Sequence, residues 1–495
     1  MELLEKDLMS IQEVRLLLKK AKEAHKILAT FNQEKIDRIV KAIAEASLQN
    51  AERLAKMANE ETGFGIWQDK VVKNVFGSMG IYEAIKDQKT VGILREDKEK
   101  QIMEIGIPVG IVAGIIPSTN PTSTVMYKTL ISIKGGNCIV FSPHPGAKNC
   151  ILETVKIINE AAEAAGCPKG AISCISIPTL QATNELMKHP NTKLILATGG
   201  YAMVKAAYSS GTPAIGVGAG NGPAFIDKSA NVKLAVKRII DSKTFDNGTI
   251  CASEQSVIVE RSMEQTVREE LIAQGGFFLN EEESKKLAHF ILRANGTMNP
   301  HIVGKSVAHI SKLAGLTGVP ASAKVLIGKE SRVGDDAPYS REKLAPILAF
   351  FVENTIEEVM DKVVEILSFE GMGHTFTMHC SNDELIKRFS LRVPASRILV
   401  NSMGSLGGIG ASTNLFPALT LGCGAVGGSS SSNNIGPMDL INIKRVAMGT
   451  KELEDIRKIS SDFLGDTKII GNNAYCNVNT ELVEEIVKRI MKQLI

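Results

Sequence analysis

Through residues 1–90 the apolar positions recur three and four apart with charge between them. LLLKKAKEAHKILATF and KIDRIVKAIAEASLQNAERLAKMANEETG show the pattern, which predicts amphipathic helices. The segment TVGILREDKEKQIMEIGIPVGIV breaks that period. It alternates, carries a charged stretch at Glu96–Lys100, and predicts a projecting hairpin over 92–108. From Ile111 short apolar runs close on turn residues and are separated by helical stretches: IVAGIIP, CIVFSPHP, AISCISIP, KLILATGG and PAIGVGAG. These are expected to be parallel strands of a doubly wound sheet, which binds ligands at the carboxyl ends of its strands. A second α/β unit is expected from Ser242 to about Pro437, with strands in SVIVE, HFIL, KVLIG, ILAFFVE, FTMHC and RILVN. MDLINIKRVAMGT then returns to the first domain or to a partner subunit. The polar stretch GDTKIIGNNAYCNVNT has no period. It leads to a final helix with Leu482, Ile486, Ile490 and Leu494 in one row and Val483, Val487, Met491 and Ile495 in the next. The expected divisions are 1–241, 242–436, 437–470 and 471–495.

Composition narrows the classes. A chain of 495 residues is expected to hold two to three domains at roughly 100–200 residues each. The net charge of +3 is spread among interspersed acids and bases, so no large field exists to hold nucleic acid or an anionic membrane. Aromatics are too few for a base-stacking platform. No apolar run reaches the roughly 18 residues of a bilayer span, and the charged N-terminal helix is unlike a signal peptide. The eight cysteines are scattered without C-x-x-C or Cys/His zinc spacing, so reduced thiols, no metal site and an intracellular, cytoplasmic setting are expected.

Several positions could carry chemistry, each with a plainer alternative. TFDNGTICASEQSVIVE sets Cys251 after a polar turn and before a strand, where a thiol can be reached and activated; a cysteine is also a small buried hydrophobe. PSTNP sets Asn120 at a strand's carboxyl end, able to donate to an oxyanion or simply to make a turn. ATGG puts Thr198, Gly199 and Gly200 at a helix N-terminus, where backbone N–H groups favour phosphate. GVGAGNG mimics a dinucleotide fingerprint, but a strand, PAFID, follows it, so it reads as a tight structural loop. Glu342 in REKLAP could accept from a ribose or be a solvated charge. His374 in GMGHTFTMH could move protons or be structural, and His144 in SPHP is equally open. The segment TLGCGAVGGSSSSNNIGP reads as a flexible loop beside a site, with Cys423 as a rival thiol.

Taken in order, PSTNPTS, SPHPGAK, ATGG with KAAYSSGTPAIGVGAGN, FDNGTICASEQSVI, EKLAP, GHT and TLGCG resemble the CoA-acylating branch of the aldehyde dehydrogenase superfamily over about residues 10–465. The resemblance implies two doubly wound α/β domains with an oligomerisation arm: an NAD-binding domain over 1–241 and a catalytic cysteine domain over 242–436. It implies Cys251 as nucleophile and Asn120 with the Cys251 N–H as oxyanion donors. Thr198, Gly199 and Gly200 would form the cofactor turn, Glu342 would hold the nicotinamide ribose, and Pro143 and His144 would line the adenosine half. Hydrolytic members carry a water-activating glutamate; here IGVGAGN has Gly216 near that place and no carboxylate, which fits a thiol acceptor. SPHP also departs from the lysine typical of hydrolytic members.

The expected reaction is oxidation of acetaldehyde or propionaldehyde to its acyl-CoA, with NAD as cofactor and CoA as co-substrate, and His374 assisting proton movement. An anionic aldehyde such as sulfoacetaldehyde or succinate semialdehyde would need a cation at the pocket mouth, for which Arg397 and Lys128 are the candidates. A silent cargo or scaffold protein is the reading from another class. Expected partners are a homodimer or homotetramer built through 92–108 and 437–460, and a microcompartment shell protein docked by the C-terminal helix.

Overall fold

The computed structural model describes residues 5–464 apart from 294, together with 484, 485 and 487–489. The expected linker and the apolar rows of the final helix lie, but for those few positions, outside the described residues. Residues 1–94 and 105–444 form one unit, and residues 95–104 with the chain beyond 444 form another.

The N-terminal helices follow their apolar period. Lys6–Leu28 buries Val14, Leu18, Ala21 and Leu28, and Gln33–Gln49 buries Ile36, Ile39, Val40 and Ile43. Strands β1 (Gly92–Asp97) and β2 (Ile102–Pro108) make the expected hairpin. Five strands then form a parallel sheet: β3 (Ile111–Ile116), β4 (Cys138–Pro143), β5 (Ile172–Cys174), β6 (Thr192–Thr198) and β7 (Ala214–Val217), in the order β5-β4-β3-β6-β7. Helices cover both faces, so β3 and β4 are buried at every position, which is why they read as unbroken apolar runs. The order reverses at β3, so the crevice between β3 and β6 is the topological switch point.

Seven strands form the second parallel sheet: β8 (Gly222–Ile226), β9 (Glu254–Glu260), β10 (Gly276–Phe278), β11 (Val325–Lys329), β12 (Ile347–Glu353), β13 (Gly373–His379) and β14 (Ala395–Val400). Their order is β10-β11-β12-β9-β8-β13-β14. The strand period of two splits its core. Phe225, Ile258, Phe351 and Phe376 pack on one face, and Ala224, Ile226, Val257 and Phe350 on the other. Strand β15 (Ile441–Ala447) completes a three-stranded sheet in the order β1-β2-β15.

Two readings change. HFIL is not a strand: its first three residues end the helix Glu281–Ile291, which a capping box of Asn280 and Glu283 starts. The strand in that region is the shorter β10. And β8 belongs to the second sheet, although it precedes the division read at 241/242; local pattern marks a strand but not its partner.

Phe389 stacks between Phe225 and Phe376, with ring centroids 5.1 and 5.6 Å away. Phe389→Ala should destabilise the fold by about 3–5 kcal/mol, read as a lower denaturant midpoint; a loss under about 1 kcal/mol would mean the stack is not part of the core.

Candidate active site

The two parallel sheets contribute opposite edges. The carboxyl ends of β3, β4 and β6 lead into Asn120, Pro143–His144 and Thr198–Gly200. From the second sheet come amino ends: Cys251 precedes β9, Glu342 precedes β12, His374 lies at the start of β13 and Arg397 near that of β14.

Cys251 is half-buried in the turn before β9. The loop after β7 presses on it, because a Cβ on Gly220 would come within 1.8 Å of the Cys251 carbonyl oxygen. GVGAGNG is therefore a tight loop, as expected, but it forms a wall of the cysteine site. The Gly220 N–H donates to Glu342 Oε1 at 2.8 Å, which brings Glu342 to the same wall. Burial pushes the Cys251 thiol up to about 12; the Glu342 charge and Cys423 add to this, and Arg397 opposes it. Burial, with Glu370 nearby, likewise pushes Glu342 up to about 8. Cys423 is buried, its thiol also raised by burial, with Sγ 3.6 Å from the Leu421 carbonyl. The glycine-serine segment around it is packed: a Cβ on Gly422 or Gly427 would meet backbone oxygens at 2.2 and 2.3 Å.

Asn120 sits at the N-cap of the helix Pro121–Lys134. Its Nδ2 donates to the Thr249 carbonyl at 2.9 Å, two residues before Cys251, and its Oδ1 accepts from Lys73 Nζ at 2.6 Å. Lys73 also donates to Asp246 Oδ2 at 2.5 Å and Thr249 Oγ1 at 3.0 Å. Lys70 donates to Asp246 Oδ2 and the Thr119 carbonyl, both at 3.0 Å. Asp246 is fully buried, and its Oδ1 takes the Ile66 N–H at 2.7 Å. Burial alone would raise its carboxyl, but the two ammoniums outweigh it and hold it below the usual range. Burial draws Lys73 down to about 8 against the pull of Asp246. Reading the sequence missed these four residues. No local sequence signal marks them: the helix Trp67–Val75 buries Lys70, Lys73 and Asn74 and leaves Val72 50% exposed, the reverse of an amphipathic helix.

The turn at Thr198, Gly199 and Gly200 has open donors. Thr198 Oγ1 is buried with no partner among the described residues, and Gly200 caps the helix Tyr201–Tyr208 with open space where a Cβ would stand. An orphaned hydroxyl beside free N–H groups at the switch point fits a dinucleotide pyrophosphate. Pro143 ends β4, and exposed His144 caps the next turn through Nδ1, 3.1 Å from the Gly146 N–H. His374 is fully buried. Nδ1 lies 2.9 Å from Thr375 Oγ1, Nε2 has no partner among the described residues, and burial with Arg397 draws its pKa to about 3.

Neither candidate pocket-mouth cation is free. Lys128 is buried within the first sheet, donates to the Ile115 and Leu196 carbonyls, and is drawn well below its usual value by burial. Arg397 is 3% exposed and spends its Nη2 on the Gly422 carbonyl at 2.7 Å. Among the described residues no cluster could hold a metal, and no helix is long and apolar enough to cross a membrane.

The aldehyde dehydrogenase family model matches residues 4–335. The bifunctional aldehyde-alcohol dehydrogenase of Escherichia coli K12 is 46% identical over 443 residues, which is 88% of this chain and 50% of that one. The chain thus spans about half the length of the first curated relatives it matches. The crystal structure of a probable aldehyde dehydrogenase from Listeria monocytogenes EGD-e is 65% identical, covers 92% of this chain and 100% of that one, and superposes with a TM-score of 0.90. An acetylating aldehyde dehydrogenase from Geobacillus thermoglucosidasius is 53% identical, covers 91% and 99%, and gives 0.89.

The Cys251–Glu342 pairing sets a pH dependence. An ionised Glu342 opposes the thiolate, and its carboxyl is ionised only above about pH 8. Glu342→Gln keeps the acceptor for the Gly220 N–H but removes the charge. Alkylation of Cys251 by iodoacetamide should therefore be several-fold faster than in the wild type at about pH 9.5 and equal at about pH 7. Equal rates across that range would show that the two groups do not interact.

Proposed function

The chain belongs to the aldehyde dehydrogenase family, and on that premise we propose that it oxidises a short-chain aldehyde to its acyl-CoA with NAD, through a thioester on Cys251. The observation that carries the reading is the wall at Gly220. Bare backbone lies against the nucleophile, Gly216 is packed under Val204 and Tyr208, and this loop offers no carboxylate to activate water. The acetylating relative from Geobacillus supports the same acceptor.

In this reading the Cys251 thiolate attacks the aldehyde carbon. The carbonyl oxygen becomes an oxyanion and accepts hydrogen bonds from Asn120 Nδ2 and the Cys251 N–H. NAD, when bound, takes up the hydride. Cys251 is then an acyl thioester. The CoA thiol gives up its proton and attacks the acyl carbon, and the C–S bond to Cys251 breaks to regenerate its thiolate. Thr198, Gly199 and Gly200 are assigned to the pyrophosphate, Pro143 and His144 to the adenosine half, and Glu342, whose Oε1 takes the Gly220 N–H, to the nicotinamide ribose. His374, held neutral with Nε2 open, is assigned to relaying the CoA thiol proton.

The substrate class follows from what is absent at the mouth. With Lys128 and Arg397 both buried and committed to backbone carbonyls, acetaldehyde or propionaldehyde fits better than sulfoacetaldehyde or succinate semialdehyde. Self-association through the arm belongs to the same proposal, since Ile443, Val446 and Met448 on or beside β15 are exposed.

NADH formation at saturating aldehyde should be sustained only with CoA, should favour acetaldehyde or propionaldehyde over sulfoacetaldehyde, and should vanish in Cys251→Ala. His374→Ala should keep the first burst of NADH without CoA, yet lose about 10²-fold or more of CoA-dependent turnover. Sustained turnover without CoA would make water the acceptor, with Glu342 the carboxylate placed to activate it, and no turnover with any aldehyde would favour a silent scaffold.

A further inference from the structure

The oxyanion reading of Asn120 leaves a problem. A primary amide rotates about its last torsion at little energetic cost, and its two faces are nearly the same shape. Turned one way, Asn120 can offer the oxyanion the N–H that otherwise donates to Thr119 Oγ1 at 3.3 Å; turned the other, it offers a carbonyl oxygen that repels it. Something must choose the face.

We propose that Lys73 is the positioning residue that makes this choice, and that Asp246 holds Lys73 in place to do so. The inference rests on the reading of Asn120 as an oxyanion donor. An ammonium has three donors and no acceptor. All three of Lys73 are committed, to Asn120 Oδ1 at 2.6 Å, Asp246 Oδ2 at 2.5 Å and Thr249 Oγ1 at 3.0 Å. A flipped Asn120 would aim its NH2 at that ammonium and leave both donors unpaired in a site only 4% exposed. On its other side the Thr249 carbonyl, which can only accept, takes Nδ2 at 2.9 Å and enforces the same face. The charge on Lys73 also draws electron density through Oδ1, which makes the NH2 a stronger donor.

Charge counting separates this role from simple neutralisation of a buried acid. One ammonium suffices for one carboxylate, and Lys70 already lies 3.0 Å from Asp246 Oδ2. Lys73 is the second cation, and it is the one that faces Asn120. Lys73→Met therefore leaves Asp246 its ion pair with Lys70, with the half-buried Asp69, which accepts the Asp246 N–H at 2.7 Å, still beside them; that is a gentler change than removing Asp246, the carboxylate both ammoniums touch.

The test is single-turnover NADH formation without CoA in the wild type, Asn120→Ala, Lys73→Met and the double variant, with Cys251 alkylation measured alongside. The expected result is a roughly 10- to 100-fold slower turnover in Lys73→Met at saturating aldehyde, with the aldehyde concentration for half-saturation within about threefold of wild type. Added to Asn120→Ala, the same change should slow turnover by less than about threefold. Iodoacetamide alkylation should stay within about twofold of wild type, since the oxyanion site plays no part in it. Lys73→Gln, which keeps a donor for Oδ1, should fall between wild type and Lys73→Met, and it carries the test if the methionine variant does not fold. An unchanged rate in Lys73→Met, a full penalty on top of Asn120→Ala, or parallel losses in turnover and alkylation would overturn the role of Lys73. An unchanged rate in Asn120→Ala would instead overturn the reading of Asn120.

Discussion

A carboxylate buried without exposed area, Asp246, ties together the parts of this molecule that must meet for chemistry. Ionised in such a place it would be unstable by many kcal/mol without partners. Its partners come from separate stretches of chain: Lys70 and Lys73 from an N-terminal helix, the Ile66 N–H ahead of that helix, and Thr249 from the cysteine loop. Asp246 and its neighbour Asn247 sit in the left-handed region, at φ of 48° and 52°, a conformation that aspartate and asparagine tolerate better than most residues. Satisfying this one charge fixes the turn leading to Cys251 and, through Lys73, the amide of Asn120. A half-buried thiol and a half-buried amide that share no sequence neighbourhood are thereby held in one place.

The architecture around that charge explains why the site draws on both sheets. The first sheet offers the carboxyl ends of its strands at the switch point, where helix N-termini leave N–H groups open. The second offers amino ends, which carry Cys251, Glu342 and His374. The glycine-lined loop between β7 and β8 joins the two. It leaves Thr198's neighbour Val217 and, three residues later, lies against Cys251. Only backbone fits there, so this loop brings no carboxylate of its own against Cys251; the carboxylate at that wall is Glu342. Burial pushes the Cys251 thiol up to about 12, and Glu342 adds to this once it is ionised, above about pH 8.

Much of this was legible in the sequence because the physics is local. Fully buried parallel strands leave unbroken apolar runs, so β3, β4 and β6 could be placed from pattern, and with them Asn120 and Thr198 at their ends. Cys251 stood out by its position between a polar turn and a strand. What escaped notice depends on partners far along the chain. The helix Trp67–Val75 buries lysines and exposes Val72 because its inward neighbour is a carboxylate 173 residues away, and no local rule predicts that inversion. HFIL was misread because four apolar residues fit a strand or the end of a helix equally well, and the capping box upstream decides it. The glycine-serine segment looked flexible by composition, yet Gly422 and Gly427 are glycine because backbone closes on them. Family resemblance supplied roles that residue types alone left open, most of all for Glu342.

The central claim is that Cys251 carries an acyl group that waits for a thiol and not for water. It is tested most directly by mixing the protein with acetyl-CoA in the absence of nicotinamide and following the Cys251 peptide by mass spectrometry. The account predicts one acyl group on Cys251 that persists for many turnover times and is removed on adding free CoA. Rapid loss of the acyl group to water, or acylation at another residue such as Cys423, would contradict it.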